Sequence, residues 1–105
     1  MAKLLNQLEK SLKEGKFCFT AELVPPLSTN QDTILQEVEP IRGLVEAVNI
    51  TDGAAAKTTI SSIAAATILA IHDIEPVLQL TCRDRNRIAL CADLIGSASF
   101  GICNL

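Results

Sequence analysis

The sequence predicts an α/β chain, the first half of a parallel (β/α)8 barrel with about four βα units. Three observations carry this expectation. Short β-prone runs alternate with helical ones, and strand starts recur about every 25 to 30 residues. The turn after the first strand, Val24-Pro25-Pro26-Leu27, lacks the glycines that a dinucleotide-binding open sheet places there. That favours a barrel over a doubly wound sheet. The strands also become polar toward their C-terminal ends, where barrel enzymes build their sites.

Residues 1–15 read as an amphipathic helix with Leu4, Leu5, Leu8 and Leu12 on one face and Gly15 as its stop. Residues 16–105 then run from strand one to strand four. Strand one, 17–24, is β-prone and ends at Pro25-Pro26, which cannot continue a ladder. Ser28-Thr29-Asn30 offers capping groups, with Asp32 in the first turn of a helix that carries Ile34, Leu35, Val38 and Ile41. Pro40 kinks or restarts that helix and Gly43 lies near its end. Strand two is 47–51, followed by a loop at Asp52-Gly53. The next helix presents Ile60, Ile63, Ala64, Thr67, Ile68 and Ile71 as its apolar stripe. Strand three, 77–81, follows Pro76. The helix after it presents Ile88, Cys91, Ala92 and Ile95, is capped by Asp84 or Asn86, and closes at Gly96. A fourth strand begins at Gly101.

Composition narrows the function classes. A chain of 105 residues is one domain at most, and 49% apolar residues with 20% charged give it material for a core. A formal charge of -3 argues against nucleic acid or an anionic membrane as partner. The longest weakly polar stretch, 63–71, is about half of the ~20 residues a membrane helix needs. The N-terminus has no unbroken apolar region of a targeting signal. Cys18, Cys82, Cys91 and Cys103 have no metal-binding or redox spacing, and the single histidine, His72, is far from them in sequence. They read as reduced cysteines serving as small core residues, and the chain as cytoplasmic.

Side chains alternate across a strand, so each strand divides into two faces. Phe17, Phe19, Ala21 and Leu23, with Val48, Ile50, Leu78 and Leu80, form the face expected to meet the helices. The other face points into the barrel and collects Thr20 and Glu22, Asn49 and Thr51, Gln79 and Thr81. Three strands aim polar groups at one mouth. This is either a site or a set of groups bonding one another at a wet rim. Glu22 is the leading candidate. Desolvated beside neutral neighbours, it has the character of a general acid; paired with Arg83 or Arg85, it would have the opposite one. Arg83, Arg85 and Arg87 either bind an anion or pair with Asp84 and Asp93. His72 reads as a helix-terminal cation at the opposite end.

Three motifs resemble one family. Thr20-Ala21-Glu22-Leu23-Val24-Pro25-Pro26, Val48-Asn49-Ile50-Thr51-Asp52-Gly53-Ala54 and Leu78-Gln79-Leu80-Thr81-Cys82-Arg83-Asp84-Arg85-Asn86 are similar to the first three strand motifs of methylenetetrahydrofolate reductases. The resemblance covers most of the chain from Phe17 onward. It implies a flavin-dependent TIM-type barrel that reduces 5,10-methylenetetrahydrofolate to 5-methyltetrahydrofolate in one-carbon and methionine metabolism. FAD, charged by NAD(P)H, would deliver hydride from its N5. Glu22 would be the catalytic general acid. Thr51, Asp52, Ala54 and Gln79 would lie against the flavin or nicotinamide. Many members carry an aromatic residue where Asp52 stands and a histidine where Gln79 stands.

A full barrel takes ~250 residues. The expectation is therefore a truncated barrel that neither holds FAD tightly nor turns over alone. A flavin absorbance band on the purified monomer, with folate-dependent reoxidation, would contradict this. A separate chain supplying the missing half-barrel is the partner such a fragment invites, and a completed barrel would be oligomeric. Two other readings stand beside the reductase. One is a non-catalytic folate- or flavin-binding fragment; the other is a barrel lyase or aldolase marked by residues on later strands.

Overall fold

The structure, a computed structural model, describes residues 6–105. Leu4 and Leu5 of the expected first helix lie outside the described residues. In chain order the elements are α1 (Gln7–Lys13), β1 (Thr20–Leu23), α2 (Gln31–Val38), β2 (Ala47–Ile50), α3 (Ser62–Ile71), β3 (Pro76–Leu78) and α4 (Arg87–Ser99). Short 3-10 turns occupy Glu39–Ile41 and Ala54–Ala56. The strands form one parallel sheet in the order β1-β2-β3. This alternation is an α/β architecture with a parallel sheet, the arrangement that a partial barrel requires. The expected fourth strand is present as a single parallel bridge, Val77 to Asn104.

Local chemistry sets the helix ends. The side chains of Asn30, Ser61 and Asn86 accept from the backbone N–H of Asp32, Ala64 and Ala89, capping α2, α3 and α4. Helices α1, α3 and α4 all close through a left-handed residue: Gly15, Asp73 and Gly101. In each, the next residue's N–H reaches back to the helix, as Lys16 does to Ser11 O (3.0 Å), Ile74 to Leu69 O (3.0 Å) and Ile102 to Ser97 O (3.2 Å). Gly101 therefore ends α4, and Gly96, expected as the stop, lies inside the helix. Pro40 restarts the chain after α2 as a 3-10 turn, because it has no N–H to continue the helix.

The face assignment of the strands holds where they pair. Leu23, Val48, Ile50 and Leu78 are buried against Ile34 and Val38 of α2 and Ala65, Ala66 and Leu69 of α3. Each fully buried aliphatic side chain is worth about 1.5–3 kcal/mol of transfer free energy. Phe17 and Phe19 depart from expectation. They precede β1, stack edge-to-face at 5.1 Å and remain 82% and 60% exposed. No helix reaches them among the described residues.

Two helix faces are also corrected. On α3 the most deeply buried residues are Ser62, Ala65, Ala66 and Leu69; of the expected stripe, Ile60, Ile63 and Ile68 pack partly buried against the same core, while Ile71 is exposed. The helix is apolar nearly all round, so periodicity could not choose a face; small alanines let it approach the sheet. On α4 the predicted Ile88, Cys91, Ala92 and Ile95 are exposed. Ala89, Leu90, Asp93 and Leu94 turn inward, and Ser97 is buried. Asp93 is held there by Arg85, which fixes the rotation of the helix. None of the cysteines forms a disulfide among the described residues, and none is buried: Cys18 is half-buried and Cys82, Cys91 and Cys103 are exposed. They lie at strand and loop margins or on the outer face of α4, so the core is built without them.

Candidate functional site

The strand register brings Glu22, Asn49 and Val77 side by side on the face opposite the helices. The ladder runs one residue further at the C-terminal end. Thr51 N–H donates to Leu23 O (3.1 Å) and Gln79 N–H to Ile50 O (3.2 Å). By strand alternation Thr51 and Gln79 continue the Glu22 face. Asn49 Nδ2 donates to Thr20 Oγ1 at 3.3 Å, so part of this polar surface bonds to itself. Glu22 does not join that bond. It is exposed, and among the described residues its carboxylate has no hydrogen-bond or ionic partner. The desolvation expected from its sequence neighbours is absent, because the three-stranded sheet leaves this face open.

Arg83 and Arg85 are committed elsewhere. Arg85 makes a two-pronged pair with Asp52: Nη1 to Oδ2, and Nη2 to Oδ1 at 3.2 Å. Its Nε donates to Asp93 Oδ2 (2.9 Å) and its Nη1 to Thr81 O (3.0 Å). Asp52 also accepts from Thr81 N–H (2.8 Å), Thr81 Oγ1 (3.1 Å) and Ser62 Oγ (3.3 Å). Side-chain exposure of the pair is 15% for Arg85 and 10% for Asp52. Burial opposes ionisation of Asp52, but the Arg85 guanidinium and the Thr81 N–H outweigh it and hold the carboxyl at about 2. Arg83 pairs with Asp84 at 2.7 Å. The proposed rim pairing of Glu22 with Arg83 or Arg85 is therefore replaced by Asp52, Asp84 and Asp93. That lock escaped the sequence reading, although Asp52 and Arg85 both flank strand ends at the same mouth.

The loop after β2 is shaped closely. Gly53 has φ +61°, and a Cβ there would sit 3.0 Å from Arg83 Nη2. Arg83 Nη2 also approaches Gly53 O at 3.4 Å. Ala54 is half-buried at the start of a tight turn whose next residues, Ala55 and Ala56, both have φ +55°. Non-glycine residues hold that conformation only when their surroundings enforce it. An open polar hollow of about 350 Å³ lies between this loop and Arg83, with Lys57 and Thr58 on its wall. Among the described residues Thr51 Oγ1 is buried without a hydrogen-bond partner. A buried hydroxyl in that condition is unusual and suits a ligand that would pair with it.

The opposite end of the sheet is a different environment. A cavity of about 170 Å³ lies there, floored by Val38, Ala47, Val48 and Ile74. His72 sits at this end as the C-cap of α3, exposed, with its carbonyl accepting from Arg42 Nη1 at 3.0 Å. Among the described residues no cluster of three metal-ligating side chains occurs, and no helix is long and apolar enough to cross a membrane.

In comparison with protein families, the model described as methylenetetrahydrofolate reductase matches residues 7–105. Comparison with curated proteins and with solved structures gives no match.

Proposed function

The chain belongs to the methylenetetrahydrofolate reductase family, and from that premise we propose that it forms the proton-donating wall of a cytoplasmic, flavin-dependent reductase. The proposed reaction converts 5,10-methylenetetrahydrofolate to 5-methyltetrahydrofolate within a completed barrel. The observation that supports it best is the state of Glu22. Among the described residues this carboxylate, on the inward face beside a neutral amide, Asn49, has no partner, while Asp52, Asp84 and Asp93 take up Arg83 and Arg85.

Opening the methylene bridge requires breaking a carbon–nitrogen bond, and the departing nitrogen is a poor leaving group until protonated. Glu22 is the proton donor in this reading, and closure of the barrel supplies the dry surroundings for that transfer. FAD, charged by NAD(P)H, supplies hydride when bound. Thr51, Ala54 and Gln79 would hold it, and the orphaned Thr51 hydroxyl fits a polar ligand group. Asp52 would serve that wall indirectly, because its carboxylate is already committed to Arg85, Thr81 and Ser62. Further strands, from the same chain or a separate one, complete the enclosure.

The test is Glu22→Gln in a chain carrying the remaining strands. The reductase reading expects folate turnover to fall about 10²–10⁴-fold, the usual contribution of a general acid, with the flavin spectrum unchanged. Turnover within about threefold of the parent would overturn it and favour a binding module.

A further inference from the structure

Helix α1 has little to hold it by itself. It is seven residues long, and isolated helices below about 12–15 residues are marginal in water. Among the described residues apolar burial adds little. Ser11 is its buried residue, Leu8 is half-buried and Leu12 is 60% exposed. Docking runs instead through one carboxylate on another element. Glu75, at the entry to β3 and 6% exposed, accepts the backbone N–H of Gln7 and, at 3.0 Å, that of Leu8. Those donors belong to the first turn, which has no intrahelical acceptor for them. The N-cap residue Asn6 makes no side-chain capping bond, so the cap comes from Glu75.

The same Glu75 Oε1 accepts Asn104 Nδ2 at 2.8 Å. Asn104 is the residue that bridges to β3, its carbonyl accepting the Leu78 N–H at 3.0 Å. One buried carboxylate thus joins the start of α1 to the last pairing on the sheet. We infer that α1 is a strap that opens without global unfolding, latched by Glu75 and coupled through it to the pairing of Asn104 with β3. Asn104 helps orient the carboxylate that α1 needs. Opening α1, in turn, takes two backbone donors, those of Gln7 and Leu8, away from that carboxylate and leaves it Asn104. Such coupling is reciprocal.

Native-state hydrogen exchange on the 105-residue chain tests this. The reporters are the amides of Glu14 and Lys16, which bond to Lys10 O and Ser11 O, with the amides of α3 as the reference. In the unaltered chain the α1 reporters exchange at least about tenfold faster than the reference, through an opening insensitive to denaturant. Glu75→Gln accelerates them a further ten- to hundredfold or so, because an amide offers one acceptor oxygen and no charge. Asn104→Ala accelerates them about three- to tenfold with α3 unchanged. Glu9→Gln, which removes only an exposed pair with Lys13, leaves them unchanged. Exchange of α1 solely with global unfolding overturns the strap. Unaltered α1 exchange in Asn104→Ala overturns the coupling. If Glu75→Gln does not fold, the unaltered chain and Asn104→Ala still decide both points.

Discussion

Replacing Asp52 by asparagine tests whether the lock at the mouth of the sheet is a principal stabiliser of its loops. The magnitude follows from the carboxyl's position at about 2, against an ordinary value of 3.8. That gap corresponds to roughly 2 kcal/mol favouring the ionised, folded form. Both side chains are mostly buried, so little screening discount applies. The sign is that of a depressed acid. The contribution is complete above the unfolded value near 3.8 and is lost as pH falls through that value toward 2. Asparagine retains an acceptor for the Thr81 N–H but leaves Arg85 with Asp93 as its ionic partner. A loss of about 2–3 kcal/mol at pH 7 is expected. Urea unfolding followed by circular dichroism, at pH 7 and at pH 2, measures it. The gap between the unaltered chain and Asp52→Asn should shrink by about 2 kcal/mol at the lower pH. Parallel pH dependences, or a neutral-pH loss below about 0.5 kcal/mol, would refute the reasoning. Arg85→Lys should lose roughly half as much, since an ammonium cannot span Asp52 and Asp93 as the guanidinium fork does.

Gly53→Ala is expected to cost about 1–3 kcal/mol in thermal unfolding, because its φ of +61° strains any residue with a Cβ, whereas the nearby Arg83 side chain can swing aside. Ala56→Gly should do the reverse and stabilise by up to about 1 kcal/mol, relieving φ +55° against glycine's greater unfolded-state entropy. Leu69→Ala, at a fully buried position on α3, should cost about 2–5 kcal/mol in the same urea assay.

The elements that were legible in the sequence are those set by local chemistry. Asn30, Ser61 and Asn86 cap the helices that follow them, and strand alternation separates Leu23, Ile50 and Leu78 from Glu22, Asn49 and Gln79. Helix rotation was not legible. In α4, Ile88 with Ile95 and Leu90 with Leu94 are both plausible apolar stripes, and no local signal ranks them. The pairing of Arg85 with Asp93 ranks them in three dimensions. The stop at Gly101 rather than Gly96 has the same character, since either glycine permits the left-handed turn and only the bonds to Ser97 and Ala98 select one.

Glu22 shows where the division falls. Its place on the inward face follows from the period of the strand and needs only the sequence. Its freedom from Arg83 and Arg85 does not, because charge neighbours in a parallel sheet are separated by whole βα units and meet only after the chain has folded. Asp52 lies thirty-three positions before Arg85 in the chain, yet the fold places their side chains in a two-pronged pair. The sequence by itself determined the alternation of elements, the caps and the polarity of each strand, all consequences of backbone geometry and neighbouring residues. Tertiary structure alone decided which helix faces are buried, which carboxylates the arginines neutralise, and that Glu75 caps a helix at the other end of the chain. Those outcomes depend on distances across the fold, which no local pattern encodes.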